Sequence, residues 1–292
     1  MTAAPRLHPP RAPDPATRWP DGAKTIVSVT IHIDGPAVEA GQGLPPAGIH
    51  SRGRYSMRRG IPRYLDMLAR HGIPASFFAC GYDVEHYPAP HRDILAAGHE
   101  IAAHGYQHEA WDLGDNEPTL LEKTHRIIQD KLGISPVGWC SPSGRKSART
   151  IPTLQRLGYI YDASEKDLDE PYLLGGNADE RATFVTLPNN TVSLDDAPVY
   201  NMGQALPDEI YENWVAEFEA IRKHEGYVQL TVHPKAGNGS GTPARARTVD
   251  RFFTYLKQAA DVRFVTMQRL AEHCLQHQGN WSTMIRSQEN PA

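Results

Sequence analysis

Runs of apolar residues alternate with segments of helical periodicity along most of the chain. The nine residues TIVSVTIHI (25–33) are typical of a buried strand that ends at the turn pair Asp34-Gly35. Apolar positions between 57 and 70 recur at helical spacing, and ASFFAC (75–80) follows as a second strand. The same alternation predicts further strands at 100–103, 137–140, 159–162, 183–187, 227–232 and 262–265, and helices at 90–97, 118–132, 147–157, 207–224, 244–259 and 266–276.

Repeated strand–helix units favour a mostly parallel sheet, and about seven or eight of them predict a barrel or a wide open sheet. Residues 23–276 show no shift in composition, so we expect one α/β domain there. Residues 1–22 carry six prolines and predict an N-terminal arm. A disordered tail is preferred for this arm over one lying on a neighbouring subunit. Residues 277–292 are predicted to form a similar C-terminal tail, in which Trp281 and Met284 indicate docking onto another part of the protein.

Composition and charge exclude several classes of partner. Of the 292 residues, 40% are apolar and 22% are charged, and the net charge of -4 offers no basic face for nucleic acid or anionic lipid. No stretch approaches the roughly 18 apolar residues of a membrane span, and the N-terminus lacks the apolar run of a signal peptide. Cys80, Cys140 and Cys274 lie far apart and are interpreted as free thiols. We therefore expect a cytoplasmic protein that binds neither nucleic acid nor membranes.

Metal-type ligands follow the ends of predicted strands. In parallel α/β folds the reactive side chains lie at the carboxyl ends of the strands. The first strand runs into Asp34, and a later one runs into His104 and His108. A carboxylate and two imidazoles, with an open position for water, suit a catalytic zinc site. Asp-Gly turns and histidines four residues apart also occur for purely structural reasons, but no structural role requires all three at strand ends. The trio predicts a divalent metal site.

A second polar group shares the strand that ends at Asp34. His32 lies two residues earlier, and the alternation of side chains along a strand places both on one face. The two polar side chains therefore open onto the same space.

At this point the segments resemble the motifs of the polysaccharide deacetylase superfamily. Asp34-Gly35-Pro36 matches the end of its first motif, in which the last Asp binds metal. Residues 98–108 match its Gly-His-Glu-Ile strand running into His-x-x-x-His, residues 142–144 match its Pro-x-Gly loop, and residues 230–233 match its Leu-x-x-His strand end. The resemblance covers about residues 23–276.

The resemblance implies a distorted (β/α)7-type barrel in a single domain. It also implies a divalent metal ion, usually zinc, held by Asp34, His104 and His108. A homo-oligomer is expected from the same resemblance and from the proline-rich arm.

Two positions depart from the pattern of the sugar deacetylases. Ile33 stands where a carboxylate usually acts as general base, and Cys140 stands where an arginine usually opens the Pro-x-Gly loop. Another branch of the superfamily has its base two residues before the metal ligand, and this likeness implies that His32 is a candidate base or substrate-orienting group. An ordinary strand-end histidine is an equally good interpretation. The segments between the motifs are most similar to the cytosolic branch that holds cyclic imide hydrolases and allantoinase-like enzymes. These segments span residues 48–63, 108–115, 138–150 and 187–200.

This likeness implies a metal-dependent hydrolase of non-peptide carbon–nitrogen bonds that opens a small cyclic imide to a half-amide. His233, from the last motif, would protonate the departing nitrogen, and the loop containing Ser143 would bind the developing oxyanion. Side chains expected to shape the substrate pocket are Arg54, Cys140 and Asp195, together with Arg52, Arg145 and Asp196.

Two alternatives remain open. One is a deacetylase of an N-acetylated sugar or small amine, with His32 as its base. The other is a metal-binding relative without catalytic activity, which the departures at Ile33 and Cys140 would permit. A thiolate nucleophile at Cys140 is disfavoured, because no histidine partner is evident and an ion-activated water makes it unnecessary.

Overall fold

The computed structural model describes residues 6–109, 113–175, 181–189, 192–201 and 205–285. These residues form a single α/β unit in which one long sheet is flanked by helices. The strands are β1 (Arg6–His8), β2 (Thr25–Ile33), β3 (Ala75–Ala79), β4 (Glu100–Ala103), β5 (Gly138–Trp139), β6 (Tyr161–Asp162), β7 (Tyr172–Gly175), β8 (Phe184–Thr186), β9 (Tyr227–Val232), β10 (Val262–Phe264) and β11 (Ser282–Ile285). The helices are α1 (Ala37–Gly41), α2 (Arg52–Tyr55), α3 (Ile61–His71), α4 (Gly81–His86), α5 (Pro88–Ala96), α6 (Glu117–Leu132), α7 (Thr150–Arg156), α8 (Asp196–Asn201), α9 (Pro207–Arg222), α10 (Pro243–Leu256) and α11 (Met267–Gln276).

The central element is β2, and all nine of its residues are buried. Along one edge, β10 pairs with its first residues and β3 pairs with its last ones, both in parallel. The opposite edge is occupied by β9, which pairs with Ile26 through Ile31. Because it is covered on both edges and both faces, β2 buries its four polar residues along with its five apolar ones, as expected for a central strand of a parallel sheet.

Parallel pairing continues outward from β3 through β4, β5 and β6 to β8. The segment after β8 then turns back toward β9. Asp195 forms a parallel bridge with Thr231, and the Asn189 side-chain amide lies 3.4 Å from the Thr231 hydroxyl. The two ends of the parallel array therefore meet at Thr231, and the sheet curves toward a barrel. The predicted alternation of parallel strands and helices is confirmed.

Several predicted bounds agree with the structure and several elements were missed. The bounds of β2, β4 and β9 match the predictions, because each strand is a compact apolar run. The helix predicted from 57 begins instead as a π-helix over Ser56–Gly60 and becomes α-helical at Ile61. The short elements α1, α2, α4, α8 and β7 were not predicted; the four helices among them have six residues or fewer, too few to show helical periodicity.

The terminal segments differ from the tails that the sequence predicts. Strand β1 pairs antiparallel with β11, and β11 pairs in parallel with β7. Trp19 and Trp281 are both buried, with ring centroids 5.2 Å apart. The proline-rich arm therefore packs on its own chain, because two large indoles bury more apolar surface than a solvated tail would. Residues 1–5 and 286–292 of the predicted tails lie outside the described residues.

No helix among the described residues is both long enough and apolar enough to cross a bilayer.

We predict that Trp281→Ala lowers the free energy of unfolding by about 3–5 kcal/mol, the range for removing a buried tryptophan. Trp281 is 1% exposed, so its loss leaves a cavity beside Trp19. Urea unfolding of the variant and the parent protein measures the difference. Leu7→Ala in β1 is the matched control, because Leu7 is 42% exposed. Equal stability of the two variants would contradict the packing of the C-terminal segment into the core.

Candidate metal centre and catalytic pocket

The carboxyl ends of three parallel strands converge on one cavity. Asp34 follows β2, His104 follows β4 and His233 follows β9, as expected for reactive groups in parallel α/β folds. The cavity has a volume of about 530 Å³. It is lined by His32, Asp34, His104, His108, Cys140, Ser141, Ser143, Gly144, Ala163, Ser164, Lys166, Asn189, Asp195, Ala197, Pro198, His233 and Asn238.

The predicted metal ligands surround one oxygen of Asp34. Its Oδ1 lies 3.5 Å from His108 Nε2 and 3.8 Å from His104 Nε2. This buried Oδ1 has no hydrogen-bond partner among the described residues. Ligand atoms about 2.0–2.2 Å from a tetrahedral ion are separated by about 3.4 Å. The spacing, the nitrogen and oxygen donors and the unpartnered oxygen all fit a divalent metal ion.

Backbone and side-chain contacts fix the two histidines. His104 Nδ1 is 2.7 Å from the Cys140 carbonyl oxygen, so the Nδ1–H donates there and Nε2 is left to face Asp34. His108 adopts a left-handed backbone conformation, with φ of 55°, in a loop and not in a helix. The Glu109 carboxylate supports this loop by accepting from the backbone N–H groups of Tyr106 and Gln107.

Gly105 allows the metal-binding loop to approach the loop that follows β5. A Cβ atom at this position would lie 2.3 Å from Glu109 Oε2 and 2.7 Å from Pro142 Cγ. Its φ of 66° also lies in the left-handed region that glycine favours. Glycine is therefore required between His104 and His108 for packing as well as for backbone conformation.

Electrostatics keep the ligands in their metal-binding protonation states. Burial disfavours the charge on Asp34, but the surrounding groups, led by His108 and Lys235, hold the pKa of its carboxyl well below its ordinary value. Burial and the neighbouring His108 lower the pKa of His104 to about 3. A charged carboxylate and a neutral imidazole are the forms that bind metal.

His233 is hydrogen-bonded to a second buried carboxylate, that of Asp196. Its Nδ1 lies 2.6 Å from Asp196 Oδ1, and the other oxygen of Asp196 accepts from the backbone N–H groups of His233 and Ser240. Burial opposes the charge on His233, but Asp196, helped by Asp34 and Asp195, raises the pKa of the imidazole to about 9. His233 is thus a protonated imidazolium at neutral pH, with Nε2 3.9 Å from Asp34 Oδ2.

Comparison with known proteins agrees with this arrangement. A family model for polysaccharide deacetylases matches residues 54–161. A peptidoglycan deacetylase-like protein of Gibberella zeae is 32% identical over an alignment of 306 positions, which covers 87% of this chain and 88% of that protein. The chain belongs to the polysaccharide deacetylase family.

Solved structures extend the likeness to the fold. A candidate polysaccharide deacetylase from Mycobacterium smegmatis is 30% identical, with 98% of this chain and 99% of that chain covered and a TM-score of 0.82. An allantoinase is 23% identical, with 91% and 95% covered and a TM-score of 0.78. The predicted barrel-type α/β fold is confirmed by these neighbours. The chain is therefore a hydrolase of the deacetylase superfamily.

The structure shows what replaces the carboxylate that other members of the polysaccharide deacetylase family have at position 33. Ile33 is fully buried in the hydrophobic core and does not line the cavity. His32 does line it, with its ring centroid 4.8 Å from that of His104 and 5.4 Å from that of His233. Burial and the nearby His104 hold the pKa of His32 well below its ordinary value. On this strand the cavity therefore offers a neutral imidazole beside Asp34, and no carboxylate stands next to Asp34 in the chain.

Cys140 lines the cavity but is not arranged as a nucleophile. Its thiol lies 3.4 Å from the Ala163 carbonyl oxygen. Burial and the nearby Asp162 raise the pKa of the thiol to about 12, so it is not a thiolate at neutral pH. Its backbone carbonyl, which orients His104, is the part of the residue that serves the site.

The loop that carries Ser143 is held from behind. Ser143 lines the cavity with φ of 56°, a left-handed conformation that is uncommon for a non-glycine residue. Lys146 Nζ lies 2.6 Å from Asp162, and the backbone N–H of Ser141 donates to the Ser164 hydroxyl at 2.7 Å. Lys146 and Asp162 were not identified from the sequence, because the ion pair joins residues that only the β5–β6 pairing brings together.

Only some of the residues predicted to shape the substrate pocket line the cavity. Asp195 lines the cavity, whereas Asp196 is buried behind His233. Arg52 and Arg54 are absent from the described residues that line the cavity, and the Arg52 guanidinium instead lies 3.5 Å from Glu39. Arg145 lines a neighbouring cavity of about 420 Å³ on the other side of the Ser143 loop. The Arg52 side chain is thus engaged by a carboxylate outside the cavity, which the loop sequence alone does not reveal.

We predict that Asp196→Asn lowers the pKa of His233 toward its ordinary value of about 6.5, because the neutral amide no longer stabilises the imidazolium. A raised pKa contributes stability in full below the unfolded value and loses it as pH rises through about 9. The deficit in the free energy of unfolding should therefore be largest at about pH 6 and shrink above about pH 9. Denaturation of the metal-free protein at both pH values, with NMR titration of His233, measures this.

Asp93→Asn on the exposed face of α5 is the matched control and should change neither quantity. A stability deficit of Asp196→Asn that is equal at both pH values would contradict a charged His233.

Proposed function

We propose that this protein hydrolyses a small cyclic imide to the half-amide, using a divalent metal ion for which zinc is the first candidate. The observation that supports this most is the make-up of the cavity wall: Ile33 lies in the core, and a neutral His32 stands beside Asp34. The site therefore has a protonated imidazole in His233 to act as general acid, whereas an isoleucine occupies position 33, where a sugar deacetylase has its carboxylate base.

The chemistry of the leaving group suits this balance. An imide nitrogen leaves with its charge delocalised onto the remaining ring carbonyl, so it needs less help from an acid and a base than an acetamide nitrogen. Ring opening is therefore compatible with a weak base at His32, whereas acetamide hydrolysis is less so. The allantoinase of similar fold indicates only that this fold accommodates such chemistry.

Asp34, His104 and His108 would hold the ion. When bound, a divalent ion at these ligands would polarise the substrate carbonyl and acidify a water molecule. His32 lines the same cavity, and its Nε2, which has no hydrogen-bond partner among the described residues, would accept a proton from the attacking water.

The remaining steps fall to the Ser143 loop and to His233. The N–H of Gly144 already donates to the Ser141 carbonyl, which makes the N–H of Ser143 the candidate oxyanion donor. His233, oriented by Asp196, donates its Nε2 proton to the departing nitrogen. Asp195 lines the cavity beside His233 and is placed to orient the substrate.

A second candidate function is deacetylation of an N-acetylated sugar or small amine, with His32 as base. It is supported by the relative named a peptidoglycan deacetylase-like protein. The homo-oligomeric state and the cytoplasmic location stay predictions, and size-exclusion chromatography with light scattering would test the first.

We predict that the purified protein hydrolyses succinimide or maleimide, that a chelator abolishes this activity and that added zinc restores it, because the ion supplies the electrophile. The assay follows loss of the imide by absorbance, with chitooligosaccharides and N-acetylglucosamine tested in parallel for acetate release. Activity on the sugars alone would favour the deacetylase. A zinc-loaded protein that is inert on every substrate would favour a binding role.

We predict that His233→Ala lowers kcat/KM for the imide by about 10²–10⁴, the usual contribution of a general acid. His86→Ala is the matched control, because His86 is an exposed histidine of α4 away from the cavity. A His233→Ala enzyme with full activity would remove this residue from the reaction.

A further inference from the structure

A buried lysine lies against the predicted metal ligand. Lys235 is 4% exposed, and its Nζ is 3.5 Å from Asp34 Oδ2. It lies just beyond residues 230–233, the last motif that relates the chain to its family. Lysine is almost never buried without a charge partner, so its place beside Asp34 calls for a specific role.

The two oxygens of Asp34 have separate neighbours. Oδ1 faces His104 and His108, as the metal site requires. Oδ2 faces the ammonium of Lys235 at 3.5 Å and the imidazole of His233 at 3.9 Å. Lys235 does not line the cavity, so it reaches the carboxylate from behind.

The backbone around Lys235 is closely packed, which fixes where its side chain begins. A Cβ atom at Gly60 would lie 1.8 Å from the Pro234 carbonyl oxygen. The π-helix that ends at Gly60 therefore packs directly against the backbone of Pro234. On the other side, the Gly241 backbone N–H donates to the Lys235 carbonyl oxygen at 3.1 Å. These contacts fix the Lys235 backbone, and the burial of its side chain places the ammonium beside Asp34.

We propose that Lys235 is a positioning residue that engages Oδ2 of Asp34, so that this carboxylate binds the metal ion through Oδ1 alone. The inference rests on the metal site of the proposed function. Binding through one oxygen keeps a coordination position open for water and substrate, as catalytic sites require. The ammonium also repels a divalent ion, so Lys235 favours an open site over the tightest possible binding.

A purely structural alternative makes a different prediction. Lys235 is also close enough to Asp83 to favour its charged form, and Asp83 accepts hydrogen bonds from the backbone N–H groups of Gly35 and Ala37. If Lys235 only offset the charge of these buried carboxylates, its removal would change stability but not the coordination of the ion.

The test uses the full chain and two ions, Co²⁺ as a spectroscopic probe and Zn²⁺ for affinity. In Lys235→Met the second oxygen of Asp34 becomes free to bind and the repelling charge is lost. We expect the visible absorption of the Co²⁺ protein to weaken, because five-coordinate Co²⁺ absorbs less strongly than four-coordinate Co²⁺. We expect Zn²⁺ to bind about tenfold more tightly in chelator competition, a typical size for coupling between two sites. Imide turnover should fall in the same variant.

Three variants accompany it. Lys235→Arg keeps the positive charge and should restore the parent spectrum and affinity. Lys235→Gln is a second neutral replacement and should show the same spectrum and affinity as Lys235→Met. It takes the place of Lys235→Met in the test if that variant does not fold. Lys223→Met, at an exposed lysine after α9, is the matched control and should leave the spectrum and affinity unchanged.

Each result separates this proposal from the metal site itself. A parent protein that binds neither ion would overturn both. A parent that binds one ion, with an unchanged spectrum and affinity in Lys235→Met and Lys235→Gln, would leave the metal site intact and overturn the role of Lys235. Weaker ion binding in the neutral variants would overturn it as well.

Discussion

The charge on a buried carboxylate, Asp34, is the condition on which the rest of the site depends. Burial alone would drive this group to its neutral form, which cannot serve as a metal ligand. In the metal-free protein the chain offsets that cost with groups from two other strand ends, chiefly His108 after β4 and Lys235 after β9, with a further contribution from His233. The parallel sheet is what brings these groups together, since every strand delivers its next residue to the same edge.

A second buried carboxylate, that of Asp196, gives the histidines of the cavity different protonation states. Asp196 raises the proton affinity of His233, while burial and neighbouring imidazoles keep His32 and His104 neutral. Neutral and protonated imidazoles within one small space are what hydrolysis requires, because one group must accept a proton and another must donate it. The difference arises from which histidine has a carboxylate on its Nδ1, not from the chemistry of the ring itself.

The sequence was sufficient for the parts of the site that are local. Asp34, His104 and His108 follow compact apolar strands or lie in glycine-containing loops, so strand ends and ligands could be read together. Lys235 could not be found in this way, because its partner lies roughly 200 residues earlier and the two meet only through β2–β9 pairing. The terminal strands escaped detection for a related reason: β1 and β11 are short, partly exposed and stabilised by pairing between opposite ends of the chain.

The position of β2 also shapes how the chain must fold during synthesis. This fully buried strand leaves the ribosome early and meets β3 soon afterward, but its other edge pairs only with β9, roughly 200 residues later. At about 5–20 residues per second that wait lasts about 10–40 s, during which an unsatisfied hydrophobic strand edge is available for aggregation. Contacts of such high sequence separation also slow the final closure of the sheet. Efficient production of this protein therefore depends on shielding β2 until the last third of the chain has emerged.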